Sequence, residues 1–199
     1  YTITASPTPV VDPIANQMAC NGSSTTEVPF ATAATGGTVS YAWTNSKAAI
    51  GLAASGTGNL PSFTAVNTTG APVSATISVV MTYTNGGVSC TSAARTFVYT
   101  INPTATVDTI NNQSVCNGAT MGAVNFTSST TGGTVTYSWT NSNPSIGLAA
   151  NGSGNLPSFN AVNTNRNSVT ATITVTPTLT NGSQSCSGTS RTFTITVNP

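Results

Sequence analysis

Few side chains in this sequence can do chemistry. Its 199 residues hold four Lys and Arg, three Asp and Glu, four Cys and no His. Without histidine there is no Ser-His-Asp or Cys-His set and no His-bearing zinc site. Three carboxylates in all, Asp12, Glu27 and Asp108, leave almost no paired-carboxylate acid–base chemistry. The expected protein is therefore not an enzyme and has no catalytic residue, resident metal or cofactor. A net charge of +1 cannot neutralise a run of phosphates, so nucleic-acid binding and polybasic membrane attachment lose their physical basis.

The reactive residues recur. Cys20, Trp43, Cys90 and Arg95 return as Cys116, Trp139, Cys186 and Arg191, each displaced by 96 positions, and about 54 of 96 paired positions are identical without an insertion. A period of that size is a whole small domain rather than a solenoid unit. Two thiolates per repeat with no His or carboxylate beside them are too few for a metal. Intra-repeat disulfides, Cys20 with Cys90 and Cys116 with Cys186, are expected instead.

Asp12 and Asp108 are the only repeated acids and Arg95 and Arg191 the only repeated bases. A first strand lying beside the last would bring each Asp to its Arg as an intra-repeat ion pair. One Asp per repeat is too few oxygen ligands for a calcium-bridged junction. Lys47 becomes Asn143 in the second repeat, so a Lys–Asn isopeptide lock is not a general device here.

The elements that carry these residues read as strands. Val73, Ala75, Ile77 and Val79, and their copies Val169, Ala171, Ile173 and Val175, alternate with hydroxyl residues at period 2. Gly36-Gly37, Asn85-Gly86, Gly132-Gly133 and Asn181-Gly182 supply turns, and no stretch shows a helical stripe. About 85 residues are Thr, Ser or Asn, so hydroxyls and amides replace charge on the wet face of the strands. The fold class expected is all-β: two tandem immunoglobulin-like sandwiches. Their core residues are Tyr41, Trp43, Phe63 and Ile77 in one, and Tyr137, Trp139, Phe159 and Ile173 in the other.

Domain boundaries are expected at the prolines. Residues 1–6 match the final strand 193–198 and read as the last strand of a preceding repeat; 7–102 and 103–199 are the two repeats. The chain then reads as a window on a longer covalent array, in preference to a complete subunit donating its first strand to a neighbour. No apolar run approaches the roughly 20 residues that a membrane helix needs, and direct membrane insertion is not expected. Any export signal would lie outside this stretch.

The loop from Ala53 to Ser62, with its copy Ala149 to Ser158, is rich in Gly and Asn. Asn59, Ser62, Asn155 and Ser158 are the candidates there for surface contact with a glycan. Six Asn-x-Ser/Thr triplets, such as Asn67-Thr68-Thr69, carry little weight in so Asn- and Thr-rich a chain.

Several runs resemble a known family: Cys-Asn-Gly at 20–22, Gly-Gly-Thr-Val-x-Tyr-x-Trp-Thr-Asn at 36–45, Ile50 to Phe63, and the closing Arg-Thr-Phe…Asn-Pro. They are similar to the PKD-like, immunoglobulin-like repeats found in tandem in very large surface proteins of Bacteroidota. Those are exported by the type IX system and include gliding-motility adhesins. The resemblance covers the whole chain and implies a secreted, cell-surface location. Thr44-Asn45-Ser46 and Thr140-Asn141-Ser142 stand where PKD domains carry an acidic turn, so any role of that turn does not transfer. Asp108-Thr109-Ile110 fits the O-glycosylation pattern of that phylum, but repeat one has Asp12-Pro13-Ile14.

The function expected is a structural spacer or stalk in a long cell-surface adhesin or filament. Its partners would be neighbouring repeats of the same chain, with glycans or cell surfaces met by a distal tip. The alternatives are a weak, multivalent glycan- or surface-binding module and accessory domains of a secreted hydrolase.

Overall fold

A computed structural model describes residues 8–199; the strand expected over residues 1–6 lies outside them. The chain divides into two compact units, Tyr1–Pro103 and Thr104–Pro199. Six strands form the main sheet of the first: β1 (Gln17–Cys20), β2 (Thr38–Asn45), β3 (Ser55–Thr57), β4 (Val73–Asn85), β5 (Val88–Thr91) and β6 (Arg95–Asn102). Their order is β1-β6-β4-β2-β3, with β5 also on β4, and β1 runs parallel to β6 while the other neighbours are antiparallel.

The second unit contains β7 (Gln113–Cys116), β8 (Thr120–Met121), β9 (Thr134–Asn141), β10 (Asn151–Ser153), β11 (Phe159–Asn160), β12 (Val169–Asn181), β13 (Gln184–Ser187) and β14 (Arg191–Asn198). Its large sheet repeats the order, β10-β9-β12-β14-β7 with β13 on β12, and β7 is again parallel to β14. The facing layer is slight. In the first unit it is closed by the mutual backbone bonds of Val28 and Leu60. In the second it consists of the β8–β11 pair and the matching bonds of Val124 and Leu156. Each unit is an immunoglobulin-like sandwich, and the described residues are all-β apart from two single 3-10 turns, Ala48–Ile50 and Pro144–Ile146.

Strand alternation decides which side chains meet between the layers. Ala75, Ile77, Val79, Met81 and Tyr83 of β4 are buried, as are Ala171, Ile173, Val175 and Leu179 of β12. On the outer face hydroxyls pair across strands: Ser74 with Thr100 at 2.9 Å, Thr170 with Thr196 at 3.1 Å, Thr176 with Ser190 at 2.8 Å. Such a surface satisfies its own polar groups without charge.

Trp43 and Trp139 are 3% and 4% exposed, and Ile77 and Ile173 are fully buried. Tyr41, Phe63, Tyr137 and Phe159 are half-buried at the margins of the two cores. Glycine is required under each indole: a Cβ on Gly56 or Gly152 would lie 2.3 Å from the Trp43 or Trp139 ring.

The expected intra-repeat disulfides do not form. Cys90 and Cys116 carry free thiols, so neither expected pair closes. Register gives the reason. Cys20 sits opposite Asn102, beside the β4 end at Val73, which faces Ile101; Cys90 faces Tyr83, ten residues further along β4. At 3.3 Å per residue the two lie about 33 Å apart along the sheet. A disulfide needs Cα atoms within about 7 Å. The second unit repeats the separation, with Cys116 opposite Asn198 near the Val169 end of β12 and Cys186 opposite Leu179.

Candidate functional site

The loop that the sequence singles out is built from the inside. In Ile50 to Phe63, Ile50 and Leu60 are fully buried and Leu52 nearly so. Gly51 turns the chain at φ +94°, and a Cβ there would lie 2.1 Å from the Thr64 carbonyl oxygen, so no other residue fits. The copy at Gly147 has φ +95° and the same clash, 2.3 Å from the Asn160 carbonyl.

Asn59 Oδ1 accepts the Phe30 backbone N–H at 3.1 Å, while its Nδ2 donates to Glu27 Oε1 at 2.8 Å. Asn155 does the same work, accepting from Phe126 N–H at 2.9 Å and donating to Asn125 Oδ1 at 2.9 Å. Both amides are committed to the segment that crosses the facing layer. Ser62 and Ser158, by contrast, are exposed.

Two further asparagines per repeat hold loops, and the sequence reading passed over their role. Asn45 Nδ2 donates to the carbonyls of Leu52 and Ala53, and its Oδ1 accepts the Lys47 N–H; Asn141 repeats this with Leu148, Ala149 and Asn143. Asn67, 4% exposed, donates to Ala71 and Ile101 carbonyls and accepts the Thr69 N–H. Asn163 matches it through Asn167, Val197 and Asn165. Burial closes the Asn67 triplet to glycosylation.

The expected ion pairs are also absent among the described residues. The Asp12 N–H bonds the Ala31 carbonyl and the Asp108 N–H bonds the Thr127 carbonyl, so the chain at these aspartates belongs to the facing layer. It joins the closing strand only further on, at Gln17 opposite Tyr99 and Gln113 opposite Ile195. Asp108 Oδ2 accepts from the Thr127 hydroxyl at 2.7 Å, and Arg191 Nε donates to the Val107 carbonyl at 2.9 Å.

The aspartates are felt elsewhere. Burial, and secondarily Asp12, pushes the Tyr41 phenol above the usual tyrosine value. Tyr137 is raised by burial and then by Asp108, against an opposing hydrogen bond with Ser128. Burial likewise raises Tyr99, partly offset by a hydrogen bond with Thr25. All three stay protonated through neutral pH.

Among the described residues no three His, Cys, Asp or Glu side chains gather as a metal site, and no helix is long and apolar enough to cross a membrane. No family model and no curated protein matches the chain. A solved structure, the crystal structure of human protocadherin-24 EC1-2, aligns over 98% of this chain and 98% of its own at 13% identity, with a TM-score of 0.43. Superposition at that level does not bear on function.

Proposed function

We propose that the chain is a non-catalytic spacer from a long extracellular adhesin or filament, in an array of PKD-like repeats of the Bacteroidota surface-protein type. One observation carries this. The residues most faithfully repeated, Ile50 to Ala54 and Asn59 to Phe63 with their copies, include fully buried side chains, glycines that nothing else can replace, and amides bonded inside their own repeat. Folding accounts for the identity of the buried side chains, the glycines and the asparagines at these positions, while Ser62 and Ser158 are exposed. A hydroxyl- and amide-covered surface with four cations and three anions is insensitive to salt and suits an uncontrolled exterior.

Glycan-array and whole-cell binding by the 199-residue chain tests the reading. A spacer shows no saturable binding, and deleting one 96-residue repeat from the parent surface protein alters reach but not target. Saturable binding lost in Ser62→Ala with Ser158→Ala would overturn it in favour of a multivalent binding module. These serines are the fair probes, since Asn59→Ala would also break the bond to Phe30.

A further inference from the structure

Asn-Gly occurs five times, at 21–22, 85–86, 117–118, 151–152 and 181–182. Glycine leaves its own peptide nitrogen unshielded, so that nitrogen can attack the carboxamide carbon of the asparagine before it. The attack needs a carboxamide free to turn and a backbone N–H without a partner. The fold withholds these from most of the five.

Asn21 Oδ1 accepts the Asn67 N–H at 2.8 Å, and the Gly22 N–H is committed to the Ala65 carbonyl at 2.8 Å. Asn117 and Gly118 are held in the same way, by the Asn163 N–H at 2.9 Å and the Ala161 carbonyl at 2.8 Å. Gly152 lies within β10, opposite Trp139 and against its indole. Ladder bonds on either side, from Asn141 N–H to the Ala150 carbonyl and from Gly154 N–H to the Tyr137 carbonyl, hold that strand on β9. Asn181 is half-buried.

Asn85 stands apart. It is exposed and ends β4 opposite Val88, with Gly86 at φ +56° and Gly87 at φ +80° between them. Positive φ at both central residues marks a type I′ hairpin turn, whose ladder bonds join the flanking residues and leave the first central N–H facing solvent. Among the described residues neither the Asn85 carboxamide nor the Gly86 N–H has a hydrogen-bond partner.

We propose that Asn85 is a self-modification site, converted without an enzyme to aspartate and isoaspartate. The Gly86 nitrogen attacks Asn85 Cγ and gives up its proton. A C–N bond closes a cyclic succinimide, and the carboxamide nitrogen leaves with that proton as ammonia. Water then adds to one of the two ring carbonyls, and the bond from that carbonyl to nitrogen breaks. Opening at Cγ gives aspartate; opening at the main-chain carbonyl gives isoaspartate. Escape of ammonia makes the change one-way.

Either product carries a carboxylate that is ionised at neutral pH, and this one new negative charge cancels the net charge of +1. It arrives at a corner otherwise lined by neutral groups, beside the Thr84 and Ser89 hydroxyls that bond each other at 2.8 Å. The isoaspartate form also lengthens the main chain at the turn that sets the register of β5 on β4. The site therefore records the age of the protein in its charge.

The native 199-residue chain, aged in mildly alkaline buffer that favours loss of the Gly86 proton, tests this. Acidic digestion and mass spectrometry map the asparagines, and isoelectric focusing follows the intact chain. Asn85 should convert first, to a mixture of aspartate and isoaspartate, with a new acidic band, while Asn21, Asn117 and Asn151 stay unchanged. In guanidinium chloride, which removes the hydrogen bonds, Asn21 and Asn117 should react as readily as Asn85. Asn85→Gln keeps the amide but forces a larger ring, and it should lose the early acidic band. Native conversion of Asn21 or Asn117 as fast as Asn85, an Asn85 that stays intact while the unfolded chain reacts, or an early acidic band retained in Asn85→Gln would overturn the proposal.

Discussion

The two repeats share a framework but solve one local problem differently. In repeat one the segment between β5 and β6 passes β4 at Ser92, whose N–H bonds the Met81 carbonyl while its Oγ accepts the Met81 N–H at 3.0 Å. In repeat two Gly188 N–H bonds the Pro177 carbonyl in the same way, but proline has no N–H to satisfy and glycine has no hydroxyl to offer. Without a side chain at 188, the Ala105 carbonyl comes close enough to accept the Thr189 N–H at 3.1 Å, a bond with no counterpart between Pro9 and Ala93 among the described residues. A donor and its acceptor disappeared together, and a new contact occupies the space. The lesson is that repeat sequences drift in coupled pairs where a buried hydrogen bond is at stake, and freely where outer-face hydroxyls exchange Ser for Thr.

That comparison can be broken first at what both repeats share. Trp43→Ala and Trp139→Ala each remove an almost fully buried indole from equivalent surroundings. Each is expected to cost about 3–5 kcal/mol. Urea denaturation followed by circular dichroism should find the two losses similar; a loss confined to one repeat would contradict a common core.

The coupled pair gives the next largest effect. Ser92→Gly orphans the buried Met81 N–H, and the expected cost is about 1–3 kcal/mol. Adding Met81→Pro removes that N–H, so the double variant should be more stable than the two single losses predict, by coupling of at least about 0.5 kcal/mol. Simple additivity would refute the explanation. The exchange is not reciprocal: Gly188→Ser would set a Cβ 2.1 Å from the Ala105 carbonyl oxygen and should destabilise repeat two.

The smallest difference is in alkali. Tyr41 and Tyr99 of repeat one and Tyr137 of repeat two are held above the usual tyrosine value, while the counterpart of Tyr99 is Ile195. A raised phenol stabilises the folded state fully below the ordinary value near 10, and that contribution is lost as pH rises through the raised value. Repeat one should therefore weaken more than repeat two above about pH 10. Thermal melts of Trp43→Phe and Trp139→Phe, each leaving one indole as reporter, would show it, and Tyr99→Ile should narrow the gap.

Much of this was legible in the sequence because the signals are local. Alternation at Val73 to Val79 and the Asn-Gly turns mark strands, their inward faces and the hairpins. Cysteine pairing was not legible, because parity tells which face a residue takes and not which end of the sheet it occupies. Cys20 is placed only by the parallel register of β1 on the last residues of β6. The Asp–Arg pairing failed for a related reason, since the chain at Asp12 belongs to the facing layer before it joins the closing strand. The pinning asparagines did leave a trace: Asn45 shares the inward parity of Trp43, a polar residue on a buried face that only a hydrogen-bonding role explains.

Disulfide mapping of the intact, non-reduced chain tests the account most directly, because its strand registers hold the two cysteines of each repeat at opposite ends of one sheet. Proteolysis under acidic conditions, after alkylation of free thiols, should recover Cys90 and Cys116 alkylated, with neither linked to the other cysteine of its own repeat. Linked peptides pairing Cys20 with Cys90 and Cys116 with Cys186 would contradict the account.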